Sequence, residues 1–130
     1  MKPRILVADD EESIRFTFKE ILGDAGYQVD TAETLSRCVQ QMQAHAYDLL
    51  LLDIGFGQDN GVAAIQSLKG LQPDCAIIII TGSPGAASLI AAKKYGAVDY
   101  LHKPIHPASL LYNARKILKQ DLPASDDGRL

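Results

Sequence analysis

The chain has 130 residues, 47% of them hydrophobic and 22% charged, the size and apolar content of one globular domain. A net charge of -3 argues against direct nucleic-acid binding by charge attraction. No apolar run approaches the length of a membrane span, and Met-Lys-Pro-Arg leads straight into a strand-like run without a signal-peptide pattern, so a cytoplasmic protein is expected.

Ile5 to Ala8 is the first predicted strand. Asp9, Asp10, Glu11 and Glu12 follow it, and taken alone they read as acidic residues favouring a helix start through its dipole. Ile14, Phe18, Ile21 and Leu22 then share one helical face. Tyr27 to Ala32 is the second strand; it alternates more and contains Asp30, so it suits a sheet edge. Leu35, Val39 and Met42 repeat the helical spacing, with Cys38 among them. Leu49 to Leu52 is apolar at every position, as a strand covered on both faces should be, and Asp53 ends it. Val62, Ile65 and Leu68 mark a third helix. Ala76 to Ile80 is the fourth strand, preceded by Cys75 and ended by Thr81. An alanine-rich helix is predicted over Ser83 to Tyr95, with Ser83 as cap and Pro84 at the first helical position. Val98 to Leu101 is the fifth strand, followed by Lys103-Pro104. Leu110, Leu111, Ala114, Ile117 and Leu118 give the last and clearest helical stripe.

This is a (βα)5 pattern, which implies a parallel sheet with helices on both faces. One domain is expected over 1–120, with a linker or disordered tail over 121–130. Cys38 and Cys75 lack metal-ligand spacing and read as free, partly buried thiols. His45, His102 and His106 also lack ligand spacing and read as surface residues.

The polar residues fall in a pattern. Asp9 and Asp10 follow the first strand, Asp53 ends the third, Thr81 ends the fourth and Lys103 follows the fifth. Open parallel sheets bind ligands outside the carboxyl ends of their strands, where strand order reverses. Each residue alone could be a turn or cap residue, but those readings would have to coincide at one edge of one sheet. Two carboxylates about 4 Å apart repel by roughly 4 kcal/mol at an effective dielectric near 20. Lys103 supplies one offsetting charge, and a divalent metal suits the remainder. Mg²⁺ prefers oxygen ligands and is often completed by phosphate, so this set points to phosphoryl transfer.

The set Asp9-Asp10, Asp53, Thr81-Gly82, Gly96-Ala97 and Tyr100-Leu101-His102-Lys103-Pro104 resembles the response-regulator receiver domain of two-component systems, from about Lys2 to Lys119. The resemblance implies a doubly wound five-stranded parallel sheet of flavodoxin-like order 2-1-3-4-5. It implies a regulatory domain rather than an enzyme, with Asp53 accepting a phosphoryl group from a sensor histidine kinase or histidine phosphotransfer protein. Asp10 would bind Mg²⁺ directly, Asp9 directly or through water, and Gly55 by its backbone carbonyl, with Asp53 completing the site. Thr81 and Lys103 would hold the phosphoryl group, Thr81 and Tyr100 would form the switch, and the Lys103–Pro104 bond would be cis. The face made by the fourth helix, fifth strand and fifth helix would carry the signal, to an output domain in a longer chain or to a phosphorylation-linked homodimer.

The loop after the acceptor departs from the family pattern Asp-x-x-Met-Pro-x-x-Asp-Gly. It reads Asp53-Ile54-Gly55-Phe56-Gly57-Gln58-Asp59-Asn60-Gly61, and Gly57 in place of proline should loosen it. Gly55 and Ser83 offer no carboxylate or amide to position a hydrolytic water, so an aspartyl phosphate should not be unusually short-lived. His106 replaces the acid that often caps the last helix.

Three rival readings remain. A Mg²⁺-dependent aspartyl-nucleophile phosphatase of the haloacid-dehalogenase type would need a second aspartate where Gly55 stands. A flavin-phosphate module would want glycine, not acid, in the first loop. A docking-only receiver would have little use for Asp10, Asp53, Thr81 and Lys103 together.

Overall fold

The unbroken apolar character of Leu49 to Leu52 has a direct structural cause: this strand lies at the centre of a sheet sandwiched between helices. A computed structural model of the chain describes residues 2–55, 61–82 and 85–118. Five strands, β1 (Arg4–Ala8), β2 (Gln28–Ala32), β3 (Leu49–Asp53), β4 (Ala76–Thr81) and β5 (Ala97–His102), alternate with five helices. The helices are α1 (Glu12–Asp24), α2 (Leu35–Ala44), α3 (Gly61–Leu71), α4 (Ala86–Tyr95) and α5 (Pro107–Leu118). All strand pairs are parallel, and the order is β2-β1-β3-β4-β5.

Successive side chains of a strand point to opposite faces, and here that rule builds two cores. Leu6, Ala8, Leu50, Leu52, Ile77 and Ile79 pack with Cys38 and Met42 of α2, Ile65 and Leu68 of α3, and Ala92 of α4. Ile5, Val7, Leu49, Leu51, Ile78 and Ile80 pack with Phe18 and Leu22 of α1 and Leu110 and Ala114 of α5. The register Ile5↔Leu49 and Leu49↔Ala76 keeps like faces together across the sheet.

β2 is an edge strand, as its composition suggested, and Asp30 has partners there. It accepts hydrogen bonds from the Arg4 guanidinium at 3.1 Å and the Tyr47 hydroxyl at 2.7 Å. Cys38 and Cys75 differ from expectation. Both are fully buried rather than partly buried. Burial pushes each thiol up to about 12, so neither is a ready nucleophile. His45, His102 and His106 are exposed.

Helix α4 is described from Gly85 onward. Gly85, extended at φ -85 and ψ 139, is its N-cap and makes no side-chain cap hydrogen bond. Among the described residues α4 begins at Ala86. Ser83 and Pro84 lie outside the described residues, as do the altered loop residues Phe56 to Asn60 and the 121–130 tail. α5 begins at Pro107, whose missing N–H costs nothing at a first helical position, and the Leu110 N–H bonds the His106 carbonyl. Among the described residues, no helix is long and apolar enough to cross a membrane.

Candidate phosphoacceptor and metal site

The strand order places the site. From β1 the chain turns one way to β2 and the other way to β3, which opens a crevice between the carboxyl ends of β1 and β3. Asp9 leaves β1 on one side of this crevice, and Asp53 ends β3 on the other. β4 adds Thr81 and the turn after β5 adds Lys103. Asp9, Asp53 and Thr81 are buried, whereas Asp10 is exposed.

Backbone contacts fix the two acidic ends. The Asp9 Oδ1 atom accepts the Glu11 N–H at 2.9 Å, and the Asp53 Oδ1 atom accepts the Gly55 N–H at 2.9 Å. Arg15 donates from its guanidinium to the Asp9 carbonyl at 2.8 Å. These bonds orient the second oxygen of each buried carboxylate toward Lys103. The Lys103 Nζ atom lies 3.1 Å from Asp9 Oδ2 and 3.3 Å from Asp53 Oδ2. The Lys103 N–H bonds the Thr81 carbonyl at 2.8 Å, and the Lys103–Pro104 peptide bond is cis.

Ligand oxygens of Asp9, Asp10 and Asp53 lie within 4.8 Å of one another, close enough to share a metal ion. Asp9 Oδ2 is in ion-pair range of Lys103 but makes no hydrogen bond. It is the one buried side-chain oxygen or nitrogen without such a bond among the described residues. An all-oxygen donor set that includes a buried carboxylate oxygen met only by the Lys103 ammonium, at 3.1 Å, fits a hard divalent cation. No side chain is needed from Gly55 for this. A Cβ there would meet Asp53 Oδ1 at an ordinary 3.5 Å.

The electrostatics agree with the crowding. Burial raises the Asp9 pKa, with help from the nearby Asp53 charge, against the lowering effects of the Glu11 N–H and Lys103. Burial works against the Lys103 charge, but Glu11, Asp9 and Asp53 outweigh it and hold that pKa above its ordinary value.

The Asp9 shift carries a stability consequence. The folded chain keeps the Asp9 proton to higher pH than the unfolded chain, so stability falls as pH rises from 3.8 through the folded pKa. Asp9→Asn should remove that penalty and, in metal-free buffer near neutral pH, stabilise the fold by about 1 kcal/mol. Urea melts of both chains check this. Equal or lower stability of the variant would show that the Lys103 pairing already compensates Asp9.

Sequence patterning missed one member of the site. Glu11 reads as a helix-start acid, yet its Oε1 atom sits 2.8 Å from Lys103 Nζ. The two residues are 92 positions apart, so no local spacing could signal the contact. Tyr100 lies on β5, partnered in register with Ile79, and the residue is 40% exposed.

A doubly wound parallel sheet with three carboxylates, a lysine and a threonine converging at its switch point defines a class of site suited to phosphate and metal. The sequence matches the family described as response regulator receiver domain over residues 5–115, and the chain belongs to that family. It is 36% identical over 116 residues to the alginate biosynthesis transcriptional regulatory protein AlgB of Pseudomonas aeruginosa, covering 89% of this chain and 26% of that protein. It is 31% identical over 120 residues to the chemotaxis protein CheY of Thermotoga maritima, covering 92% of this chain and all (100%) of that protein. Among solved structures it resembles a response regulator protein from Burkholderia pseudomallei with a phosphorylated aspartic acid, calcium ion and citrate. That match has a TM-score of 0.80 and 29% identity, covering 93% of this chain and 76% of the other. The chain thus spans about a quarter of AlgB and the whole of CheY. Receiver domains of two-component response regulators are regulatory signalling domains, and this is one of them.

Proposed function

We propose that the chain is a phosphorylation-dependent switch in which Asp53 accepts a phosphoryl group with the help of Mg²⁺. The observation that carries this reading is the convergence of Asp9, Asp53 and Lys103 within 3.3 Å contacts, beside exposed Asp10, at the switch point of the sheet. Asp9, Asp10, Asp53 and the Gly55 carbonyl would hold the ion. Mg²⁺ bound there supplies charge that offsets the crowded carboxylates and the phosphoryl oxygens.

The chain's own residues then divide the work. Asp53 Oδ attacks phosphorus, and the bond from phosphorus to the donor's imidazole nitrogen breaks. That nitrogen keeps the electron pair and takes a proton from solvent. The donor is a phosphohistidine on a sensor kinase or phosphotransfer protein. Lys103, already directed at Asp53, neutralises charge on the transferred group. The Thr81 hydroxyl would donate to a phosphoryl oxygen, and Tyr100 would turn inward as Thr81 moves. This biases a two-state element by a local charge change.

The exposed apolar side chains Ile90, Val98 and Tyr112 lie on α4, β5 and α5, the surface that would pass the change onward. The output lies in a longer protein or in a second receiver; AlgB, a transcriptional regulatory protein, has room for such a domain beyond the matched 26%. The domain would work in the cytoplasm, where a kinase donor is available, and its aspartyl phosphate would not be unusually short-lived. Loss of phosphate within seconds, with no phosphatase added, would contradict the last point.

The direct test is a beryllofluoride titration followed by NMR. With Mg²⁺ present, amide signals of Asp53, Thr81 and Tyr100 should shift, and a chelator should return them. The absence of any Mg²⁺-dependent change would end this reading.

A further inference from the structure

We infer that Glu11 is an internal counterion that holds Lys103 in the unphosphorylated chain and restrains phosphoryl acceptance by Asp53. The inference rests on the phosphoacceptor reading and assigns a positioning role to a residue outside it. Of the three carboxylates around Lys103 Nζ, Glu11 is nearest, at 2.8 Å, and Asp53 is farthest, at 3.3 Å.

The local backbone favours this arrangement. Glu11 is the N-cap of α1, with extended φ -89 and ψ 118, yet its side chain makes no cap hydrogen bond. Its N–H is held by Asp9 Oδ1, and its carbonyl accepts the Arg15 N–H at 3.2 Å. An N-cap side chain ordinarily turns back to the first helical amides. This one reaches across the crevice to Lys103 instead.

The three contacts differ in how easily they are exchanged. An ammonium has three donors, and three carboxylates surround it. The Asp9 side chain is 0% exposed, whereas the Glu11 side chain is 56% exposed and can be taken up by solvent. Glu11 is therefore the ligand that gives way. An exposed ion pair is weak and breaks readily, whereas a phosphoryl dianion offers Lys103 a stronger partner.

Acetyl phosphate allows the step to be followed without a partner protein. A bond forms between Asp53 Oδ and phosphorus, the phosphorus–oxygen bond to the acetyl group breaks, and acetate leaves with the electron pair. Net charge is unchanged, and no proton is required. Lys103 must turn from Glu11 to the transferring group during this step, so the Glu11 contact slows it.

The test compares the wild type, Glu11→Gln and Glu11→Asp as whole chains, with acetyl phosphate at saturating Mg²⁺. Glu11→Gln keeps the length and loses the charge. Glu11→Asp keeps the charge but is one methylene too short for the contact. Both should accelerate phosphorylation about two- to fivefold, in line with loss of an exposed ion pair. In the metal-free protein, the Lys103 Nζ NMR signal should shift in both variants. Acceleration by Glu11→Gln alone would assign the effect to overall charge and overturn the inference. Unchanged or slower rates in both would also overturn it, as would an unmoved Lys103 signal. If the wild type takes up no phosphoryl group, the phosphoacceptor reading itself fails, and the inference falls with it.

Discussion

Asp53→Ala should take up no phosphoryl group from acetyl phosphate and Mg²⁺, while the wild type gains the mass of one. The effect should be complete because the nucleophile is removed, not weakened. Intact-mass spectrometry reads it directly. The substitution should not unfold the chain. It removes one of the carboxylates crowded beside Asp9 and leaves Lys103 paired with Asp9 and Glu11. Incorporation retained at the wild-type rate would mean that another group is the acceptor, and Asp53 would be only a metal ligand.

Lys103→Met should have the second largest effect, on both chemistry and stability. Loss of a preorganised charge donor at a reacting oxyanion ordinarily costs about 100- to 1,000-fold in rate. A similar fall in phosphorylation rate is expected at saturating Mg²⁺. The fold should also lose about 2 kcal/mol, because Asp9, Asp53 and Glu11 would face one another with no cation between them. The sign follows from the raised Lys103 pKa. Its stabilising contribution is fully present below 10.5 and is lost only as pH rises through the still higher folded value. Urea melts at neutral and strongly alkaline pH would show the wild-type advantage shrinking. An advantage that persisted unchanged at alkaline pH would locate it in side-chain packing rather than charge. Together with Asp9→Asn, which should stabilise, the variant distinguishes a site in which metal binding and fold stability are opposed.

Much of this arrangement was legible in the chain. Leu49 to Leu52 and Ala76 to Ile80 could be assigned as buried strands because a strand covered on both faces has no reason to alternate. Asp30 placed β2 at an edge for the converse reason. Asp9, Asp10, Asp53, Thr81 and Lys103 could be grouped because parallel strands bring their carboxyl ends to one side, whatever the helices between them do. The start of α4 was less legible. Ser83-Pro84 lie outside the described residues, and the N-cap that is described, Gly85, carries no side chain by which a sequence could mark it. The depth of the cysteines was also hidden, since helical spacing puts Cys38 near the core without saying how many elements cover it.

Asp53, then, was determined by sequence as a candidate acceptor: it ends a fully apolar strand and has acidic, hydroxyl and basic companions after the others. The tertiary structure alone decided how those companions divide one ammonium among them. Side-chain period and strand order set which end of the sheet a residue reaches, and both are written locally. The 2.8 Å pairing of Lys103 with Glu11, and the buried Asp9 oxygen left without a hydrogen bond, depend on distances between residues far apart in the chain. Those distances are fixed only when the helices have packed and the crevice has closed around its charges.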